Sequence, residues 1–215
     1  PLPMPHALPN PSSDNCMSQT VVLYFGSFNP IHRGHLTVAD AALEAIGANA
    51  LWFVVSPQNP FKRYDELAPE TLRIEMVRIA IRSARHADRM LASDIEFQLE
   101  KPSRTLHTLE TLKVQFPQTR FGLLLGSDNI AGFSAWYGFE KIINEYPIWV
   151  YPREGYTMPQ LAWTGKLTLL NNVPLMPQAA TNLRSSIAHG IIPENELPEG
   201  IGTFIREHHL YGYHD

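Results

Sequence analysis

Two histidines three residues apart, His32 and His35, are the residues of this chain whose type and spacing best suit phosphate chemistry. They belong to a turn, residues 26–35, that reads GSFNPIHRGH between an apolar run and a helical pattern. This spacing puts the two imidazoles one helical turn apart, so both can reach the same phosphate group. Because phosphoryl-type transfer gains mostly from donors aimed at developing charge, we interpret the histidines as electrostatic stabilisers rather than nucleophiles.

Small and rigid residues around the histidines fit the same chemistry. Gly26 lets the backbone come close to a ligand, Pro30 stiffens the loop, and Gly34 leaves room for a phosphate beside the helix start. The turn matches neither the G-x-G-x-x-G pattern of dehydrogenases nor a Walker A lysine motif. Neither cysteines nor a suitably spaced carboxylate completes a zinc ligand set, so we predict no metal held by protein side chains.

The elements that must position this turn alternate between strands and helices. Apolar runs predict strands at residues 21–25, 51–55, 90–97, 121–125, 148–151 and 167–170. Periodic apolar residues predict helices at 36–46, from 69 to 81, at 105–116, in a broken stretch through 143, near 181–189 and near 198–208. This alternation predicts a doubly wound, parallel α/β sheet with its ligand site beyond the carboxyl ends of the strands.

The composition limits the function classes. A chain of 215 residues that is 44% hydrophobic can bury a sizeable core in one domain. A net charge of -4 gives no bulk positive field for nucleic acid or an anionic membrane, and the apolar runs are too short to span a bilayer. The single cysteine, Cys16, fits a reducing cytoplasm, where we expect the protein to act. A homo-oligomer is possible, but nothing in the sequence decides it.

The first residues differ in composition from the rest of the chain. Residues 1–16 contain five prolines and no signal-peptide pattern. We expect an N-terminal tail at residues 1–19 and a single domain at residues 20–215. Met17 stands just ahead of the first strand, so the natural start could lie there, and the sequence leaves open whether residues 1–16 are native.

The turn GSFNPIHRGH resembles the H-x-G-H signature of the nucleotidylyltransferase superfamily. Within it, the chain is most similar to bacterial nicotinate-nucleotide (nicotinate mononucleotide) adenylyltransferases, from about residue 20 to residue 211. The segments that carry this narrower resemblance are SPQNPFKR at 56–63, PSRTLHTLETL at 102–112, GSDNIAGFSAWY at 126–137, VYPREGY at 150–156 and ATNLRSSIAHG at 180–190.

The resemblance implies a Rossmann-like fold of the nucleotidylyltransferase (HUP) type and an activity in NAD biosynthesis. Such enzymes transfer AMP from ATP to nicotinate mononucleotide, giving nicotinate adenine dinucleotide and pyrophosphate. The phosphate of the mononucleotide would attack the α-phosphorus directly in line, without a covalent enzyme intermediate. Mg²⁺ would accompany ATP, bound to phosphate oxygens and water rather than to a protein cage.

The resemblance also assigns nucleotide-binding roles. His32, His35 and Arg184 would be catalytic, holding ATP phosphates and the transition-state charge. The further ATP-binding residues that it implies are Gly26, Ser27, Phe28, Gly34, Lys62, Gly126, Asp128, Arg153 and Thr181. Thr181 can cap its helix, whose amide end would then face the triphosphate. Spacing alone leaves open that residues 126–128 form a plain turn and that Arg153 and Arg184 are surface charges.

One segment departs from the family pattern. The usual sequence is I-S-S-T-x-I-R, whereas this chain has Ala179 and Ala180 where the family has two serines. Side-chain contacts of those serines therefore do not carry over, although backbone amides can still bind phosphate.

For the acceptor, the resemblance implies a nicotinate mononucleotide site formed by Ser56, Thr105, the backbone of Leu106, Trp136 and Tyr137. An indole can stack on a pyridine ring, although Trp136 could also be an ordinary core aromatic. Backbone N–H groups could bind the nicotinate carboxylate, which predicts a preference for the acid over the amide mononucleotide.

Two alternatives remain at this point. One is another H-x-G-H nucleotidylyltransferase with phosphopantetheine or flavin mononucleotide as acceptor, against which the segments around Thr105 and Trp136 argue. The other is a non-catalytic nucleotide-sensing module. The altered serine segment favours the sensor, and the intact histidine pair argues against it.

Overall fold

Six strands and seven helices alternate along residues 19–57, 67–175 and 180–214, the part of the chain that the computed structural model describes. The strands are β1 (Gln19–Gly26), β2 (Ala50–Val55), β3 (Met90–Ser93), β4 (Thr119–Gly126), β5 (Ile148–Tyr151) and β6 (Thr168–Leu169). The helices are α1 (Arg33–Ile46), α2 (Glu70–Ile81), α3 (Thr105–Gln115), α4 (Ser127–Phe133), α5 (Phe139–Glu145), α6 (Ala180–Ala188) and α7 (Ile201–Glu207).

The strands form one parallel sheet in the order β3-β2-β1-β4-β5-β6. The predicted Rossmann-like, doubly wound α/β sheet is therefore confirmed. From β1 the chain proceeds to β2 on one side, and β4 later pairs with the opposite side of β1. Parallel sheets that reverse direction in this way have a crevice beyond the strand ends at the switch point, here beyond Gly26 and Gly126.

Helices cover both faces of the sheet because its central strands are apolar on both sides. On β1, Val22 and Tyr24 point into a core shared with α1, α2, α6 and α7. Val21 and Leu23 point into a second core shared with α3, α4 and α5. This double coverage is what the continuous apolar run of β1 predicts for a strand in a parallel sheet.

The predicted strand at residues 90–97 was too long. The register pairs Val54 with Ser93, and β2 ends at Val55, so the following residues have no neighbouring strand to pair with. The chain instead makes a 3₁₀ turn at Ile95–Gln98, which buries the side chain of Glu96. The predicted strand at 167–170 is likewise reduced to Thr168–Leu169.

Two helix boundaries also differ from the prediction. Helix α1 begins at Arg33 rather than at residue 36, so His35 lies inside its first turn. Helix α7 begins at Ile201 rather than at residue 198, because Gly200 precedes it with a left-handed φ of 83° that a helix cannot contain. Strand β1 begins at Gln19, one residue before the predicted domain start. In the described part of the chain, no helix has both the length and the apolar character needed to cross a bilayer.

Candidate active site

The histidine turn follows β1 and opens helix α1. His32 is the N-cap of α1, in extended conformation with φ −141° and ψ 170°. Its backbone N–H donates a hydrogen bond to Nδ1 of His35 at 3.2 Å, and the ring centres lie 3.8 Å apart. Because Nδ1 of His35 accepts this bond, a neutral His35 carries its proton on Nε2, where it can be donated to a ligand.

His32 is buried, with 3% of its surface exposed, and its Nδ1 has no hydrogen-bond partner among the described residues. Burial, and secondarily the charge of Arg153, lowers the pKa of His32 to about 4. At neutral pH the ring is therefore uncharged. Of the two histidines, the partly exposed His35 is the better placed to meet a phosphate.

The lowered pKa of His32 predicts an acid-sensitive fold. The pKa of His32 is about 4 in the folded chain, whereas the ordinary value of 6.5 applies to the unfolded chain. Between pH 4 and pH 6.5 the unfolded chain therefore binds more protons than the folded chain. Stability then falls as the pH drops through this window, by up to about 3 kcal/mol from this residue. We expect His32→Asn to flatten the fall in unfolding free energy, measured by urea titration at pH 7, 6 and 5. Parallel pH profiles for the two proteins would contradict this account.

A buried arginine fixes the loops that follow β1 and β2. Arg73, on α2, is 1% exposed. Its guanidinium donates to the carbonyl oxygens of Ser27 at 2.7 Å, Ser56 at 2.8 Å, Pro57 at 2.9 Å and Ala68 at 2.8 Å. One side chain thus joins the histidine turn to the loop that carries Ser56. Sequence analysis missed Arg73, since an arginine in an amphipathic helix gives no signal of burial.

Four of the predicted ATP-binding residues are wholly or partly structural in their placement. Phe28 is 2% exposed and has a left-handed φ of 44°, so its ring packs into the core rather than into an open cleft. Ser27 is also buried. A Cβ on Gly26 would lie 2.9 Å from Cζ of Phe28, so this glycine admits the Phe28 ring as well as leaving its backbone at a cleft. Gly34 is buried in the first turn of α1.

Gly126, Asp128 and Arg153 come together at the ends of β4 and β5. Nε of Arg153 lies 3.8 Å from Oδ2 of Asp128, and the Arg153 N–H donates to Oγ of Ser127 at 2.8 Å. A Cβ on Gly126 would overlap the Asp128 carboxylate and lie 3.1 Å from Cγ of Arg153. The same Cβ would lie 3.2 Å from Cζ of Tyr151, whose hydroxyl is 3.1 Å from that of Tyr24 beside His35, so this cluster lies near the histidine turn.

Beyond the ends of β1 and β4 lies a cleft of about 360 Å³. It brings together four of the five predicted acceptor residues, Ser56, Thr105, Trp136 and Tyr137, with Gly26 and Gly126. Leu106, which was predicted to act through its backbone, has a buried side chain in the core beneath α3. The Trp136 indole is half-buried and packs edge-on against Phe133, which leaves it at the cleft wall.

The floor of this cleft contains groups that sequence analysis did not identify. The hydroxyls of Tyr24 and Tyr151 lie 3.1 Å apart, and burial raises the pKa of both. The Tyr24 ring lies 6.1 Å from that of His35, which connects the cleft to the histidine turn. Glu96, 1% exposed, accepts a 2.8 Å hydrogen bond from Thr108, and burial raises its pKa.

Arg184 and Thr181 line a different cleft, of about 510 Å³, together with Tyr211 and residues 67–69. Nη1 of Arg184 donates to the carbonyl oxygen of Asn29 at 3.0 Å, so α6 reaches the histidine turn. Thr181 is not the N-cap that was predicted, because α6 already includes Ala180 and the cap must precede the first helical residue. Lys62 and Ala179 lie outside the described residues.

Comparison with known proteins identifies the family. The model of the cytidylyltransferase-like family matches residues 23–189. A Bacteroides fragilis protein named "Probable nicotinate-nucleotide adenylyltransferase" is 39% identical over 168 residues, covering 78% of this chain and 82% of its own length. The chain belongs to the nicotinate-nucleotide adenylyltransferase family. A Cytophaga hutchinsonii relative with the same name is 40% identical over 165 residues, covering 77% of this chain and 84% of its own.

Solved structures support the fold of this family. The Plasmodium falciparum nicotinic acid mononucleotide adenylyltransferase complexed with NaAD superposes with a TM-score of 0.75 at 20% identity, covering 91% of this chain and 98% of that one. A Vibrio parahaemolyticus structure titled a putative nicotinate-nucleotide adenylyltransferase gives a TM-score of 0.64 at 17% identity, covering 90% and 96%. These structures confirm the predicted fold, and the family model with the sequence relatives confirms the predicted membership of the family.

Proposed function

We propose that this protein transfers AMP from ATP to nicotinate mononucleotide, forming nicotinate adenine dinucleotide and pyrophosphate in NAD biosynthesis. This proposal rests on the proximity of two sites, the histidine turn and the 360 Å³ cleft. A pair of histidines at the start of α1 adjoins, through Tyr24, an aromatic cleft that contains Trp136 and Tyr137. A phosphate donor and a flat acceptor ring can therefore be held next to each other at the carboxyl ends of the strands.

In this reaction an oxygen of the acceptor's phosphate attacks the α-phosphorus of ATP, and the bond from that phosphorus to the bridging oxygen breaks. Negative charge then builds up on the departing pyrophosphate. Nε2–H of His35 can donate to a phosphate oxygen in this transition state, and Arg184 and Arg153 supply positive charge nearby. Positioning and charge stabilisation suffice for such a transfer, so no nucleophilic side chain is needed.

Magnesium enters this account as part of the MgATP substrate. Among the described residues, no three His, Cys, Asp or Glu side chains are grouped so that they could hold an ion. A metal carried on phosphate oxygens and water fits this arrangement, since Mg²⁺ keeps several waters and binds through substrate phosphates. It would neutralise triphosphate charge, and His35, Arg153 and Arg184 would bind phosphate oxygens.

Several further assignments stay predictions. We place the catalytic domain at residues 20–215, after an N-terminal tail at 1–19, and the reaction in the cytoplasm. We expect neither nucleic acid nor a membrane as partner. These expectations rest on the composition of the chain and on its resemblance to the family.

The substrate assignment can be tested by pyrophosphate release with MgATP and three acceptors in parallel: nicotinate mononucleotide, nicotinamide mononucleotide and phosphopantetheine. We expect release chiefly with nicotinate mononucleotide. Release with phosphopantetheine alone would assign a different acceptor. ATP binding without release in any of the three would instead favour a nucleotide sensor, the role that the altered segment at Ala179 and Ala180 would allow.

Gly126→Ala tests the nucleotide role of the strand end. The added methyl overlaps the Asp128 carboxylate, so that side chain and Arg153 must move. We expect the KM for ATP to rise by about tenfold or more, because a hydrogen bond to a charged group contributes roughly 1.5–3 kcal/mol. Gly132→Ala is a matched control, since a Cβ there meets nothing within 4 Å. A KM for ATP that is unchanged in Gly126→Ala would remove this site from nucleotide binding.

A further inference from the structure

Among the described residues that line the 360 Å³ cleft, Arg104 is the one cationic side chain. The other ionisable groups there are Glu96 and three tyrosines. Burial raises the pKa of Glu96. Burial raises the pKa of Tyr24 and Tyr151 as well, which keeps both phenols uncharged at neutral pH. The cleft therefore combines aromatic walls with one cationic side chain.

Arg104 is an exposed residue whose backbone and side chain both contact the rest of the protein. Its backbone is the N-cap of α3, and its carbonyl oxygen accepts the Thr108 N–H at 3.2 Å. Its guanidinium carbon lies 4.2 Å from the ring centre of Tyr137, a cation–π contact. The same ring is packed edge-on by His107, with 5.1 Å between the ring centres. The guanidinium therefore lies over the ring of Tyr137, a residue that is 54% exposed and that follows Trp136 in the cleft wall.

A guanidinium lying over a ring keeps its N–H donors at its edges. Those donors match the two oxygens of a carboxylate, and such charge-assisted pairs are about twice as strong as neutral hydrogen bonds. A carboxamide carries no charge, and its NH₂ group meets a cation that has no acceptor. The side chain at this position therefore favours an acid over the corresponding amide.

We propose that Arg104 determines the acceptor specificity of this protein by binding the ring carboxylate of an aromatic acid mononucleotide in this cleft. The inference rests on the proposed function and deepens it. It assigns the discrimination between the acid and the amide mononucleotide to the side chain of Arg104, in addition to the backbone N–H groups expected from the sequence. The Tyr137 ring then has two tasks, since it lines the cleft and it holds the guanidinium in position.

The test compares kcat/KM for nicotinate and nicotinamide mononucleotide in the full chain and in Arg104→Gln. We expect kcat/KM for the acid to fall by about tenfold to a hundredfold, which corresponds to the loss of one hydrogen bond to a charged group. For the amide, kcat/KM should fall by less than about threefold. Tyr137→Ala should reduce the same ratio, while Tyr137→Phe, which keeps the ring, should preserve it. Arg120→Gln is the control, because Arg120 is an exposed arginine near the amino end of β4, whereas the cleft lies beyond the carboxyl ends of the strands.

An unchanged acid-to-amide ratio in an active Arg104→Gln enzyme would overturn the inference and leave the proposed function intact. Equal losses for both acceptors would overturn it too, because Arg104 would then act on the phosphate that the two share. Turnover of neither mononucleotide by the unaltered protein would overturn the proposed function itself, and the specificity role with it.

Discussion

His35→Ala will lower kcat for dinucleotide formation by about a hundredfold to a thousandfold, the usual cost of removing a donor aimed at transition-state charge. The fold should survive, because the ring is partly exposed and sits in the first turn of α1. The KM for ATP should change far less than kcat, since the interaction gains most of its strength in the transition state. Steady-state kinetics with both substrates measure this split.

Two conservative variants separate the tasks of the His35 ring. His35→Asn can keep an acceptor near the position of Nδ1 for the His32 N–H but lacks a donor at Nε2. We expect it to be as slow as His35→Ala. His35→Gln can place an amide N–H near Nε2 and should recover part of the rate. His86→Ala, on a histidine that precedes β3 and bonds Glu44 at the opposite edge of the sheet, is the control. Near-normal kcat in His35→Asn would show that the ring acts only through the His32 N–H.

Arg73→Met will lower the free energy of unfolding by about 3–5 kcal/mol, because it leaves buried carbonyl oxygens without their donor. The guanidinium serves four such oxygens, including those of Ser27 and Ser56, from a site that is 1% exposed. This is a substantial fraction of the total stability of about 5–15 kcal/mol that is typical of domains. Urea unfolding followed by circular dichroism measures the change.

Arg73→Lys and Arg78→Met complete this comparison. Lysine keeps a charge but has three donors on one nitrogen, so it cannot span carbonyls spread around a planar fork, and most of the destabilisation should remain. Arg78 lies on the same helix, with its side chain 48% exposed and paired to Glu75. Its replacement should cost less than about 1 kcal/mol, as for exposed ion pairs in general. Equal, small losses in Arg73→Met and Arg78→Met would contradict the positioning role of Arg73.

The fold was predictable because β1, β2 and β4 are apolar on both faces, the mark of strands covered by helices on two sides. The histidine turn was equally clear, since its residue types and spacing are local in sequence. The lengths of the strands were harder to predict from the sequence. Strand β3 ends where β2 ceases to offer a partner, which is a property of the neighbouring strand rather than of residues 90–97.

The parts of the site that sequence analysis missed depend on contacts between distant segments. Three of the four carbonyls that Arg73 binds lie 16 to 46 residues away, and nothing in its own helix distinguishes it from the exposed Arg78. The same holds for Arg104, whose guanidinium is placed by Tyr137 from another loop. Thr181 was assigned a capping role from residue type, and the first helical residue, Ala180, excluded it.

The central claim is that the protein transfers AMP from ATP to nicotinate mononucleotide. Its most direct test is to trace the α-phosphate and the γ-phosphate of ATP into the products. The full chain is given nicotinate mononucleotide with MgATP labelled either at the α-phosphate or at the γ-phosphate. The account predicts that the α-label enters a dinucleotide with the mass of nicotinate adenine dinucleotide, one for one with γ-label in pyrophosphate. Release of the γ-label as inorganic phosphate, with the α-label left in ADP, would contradict it.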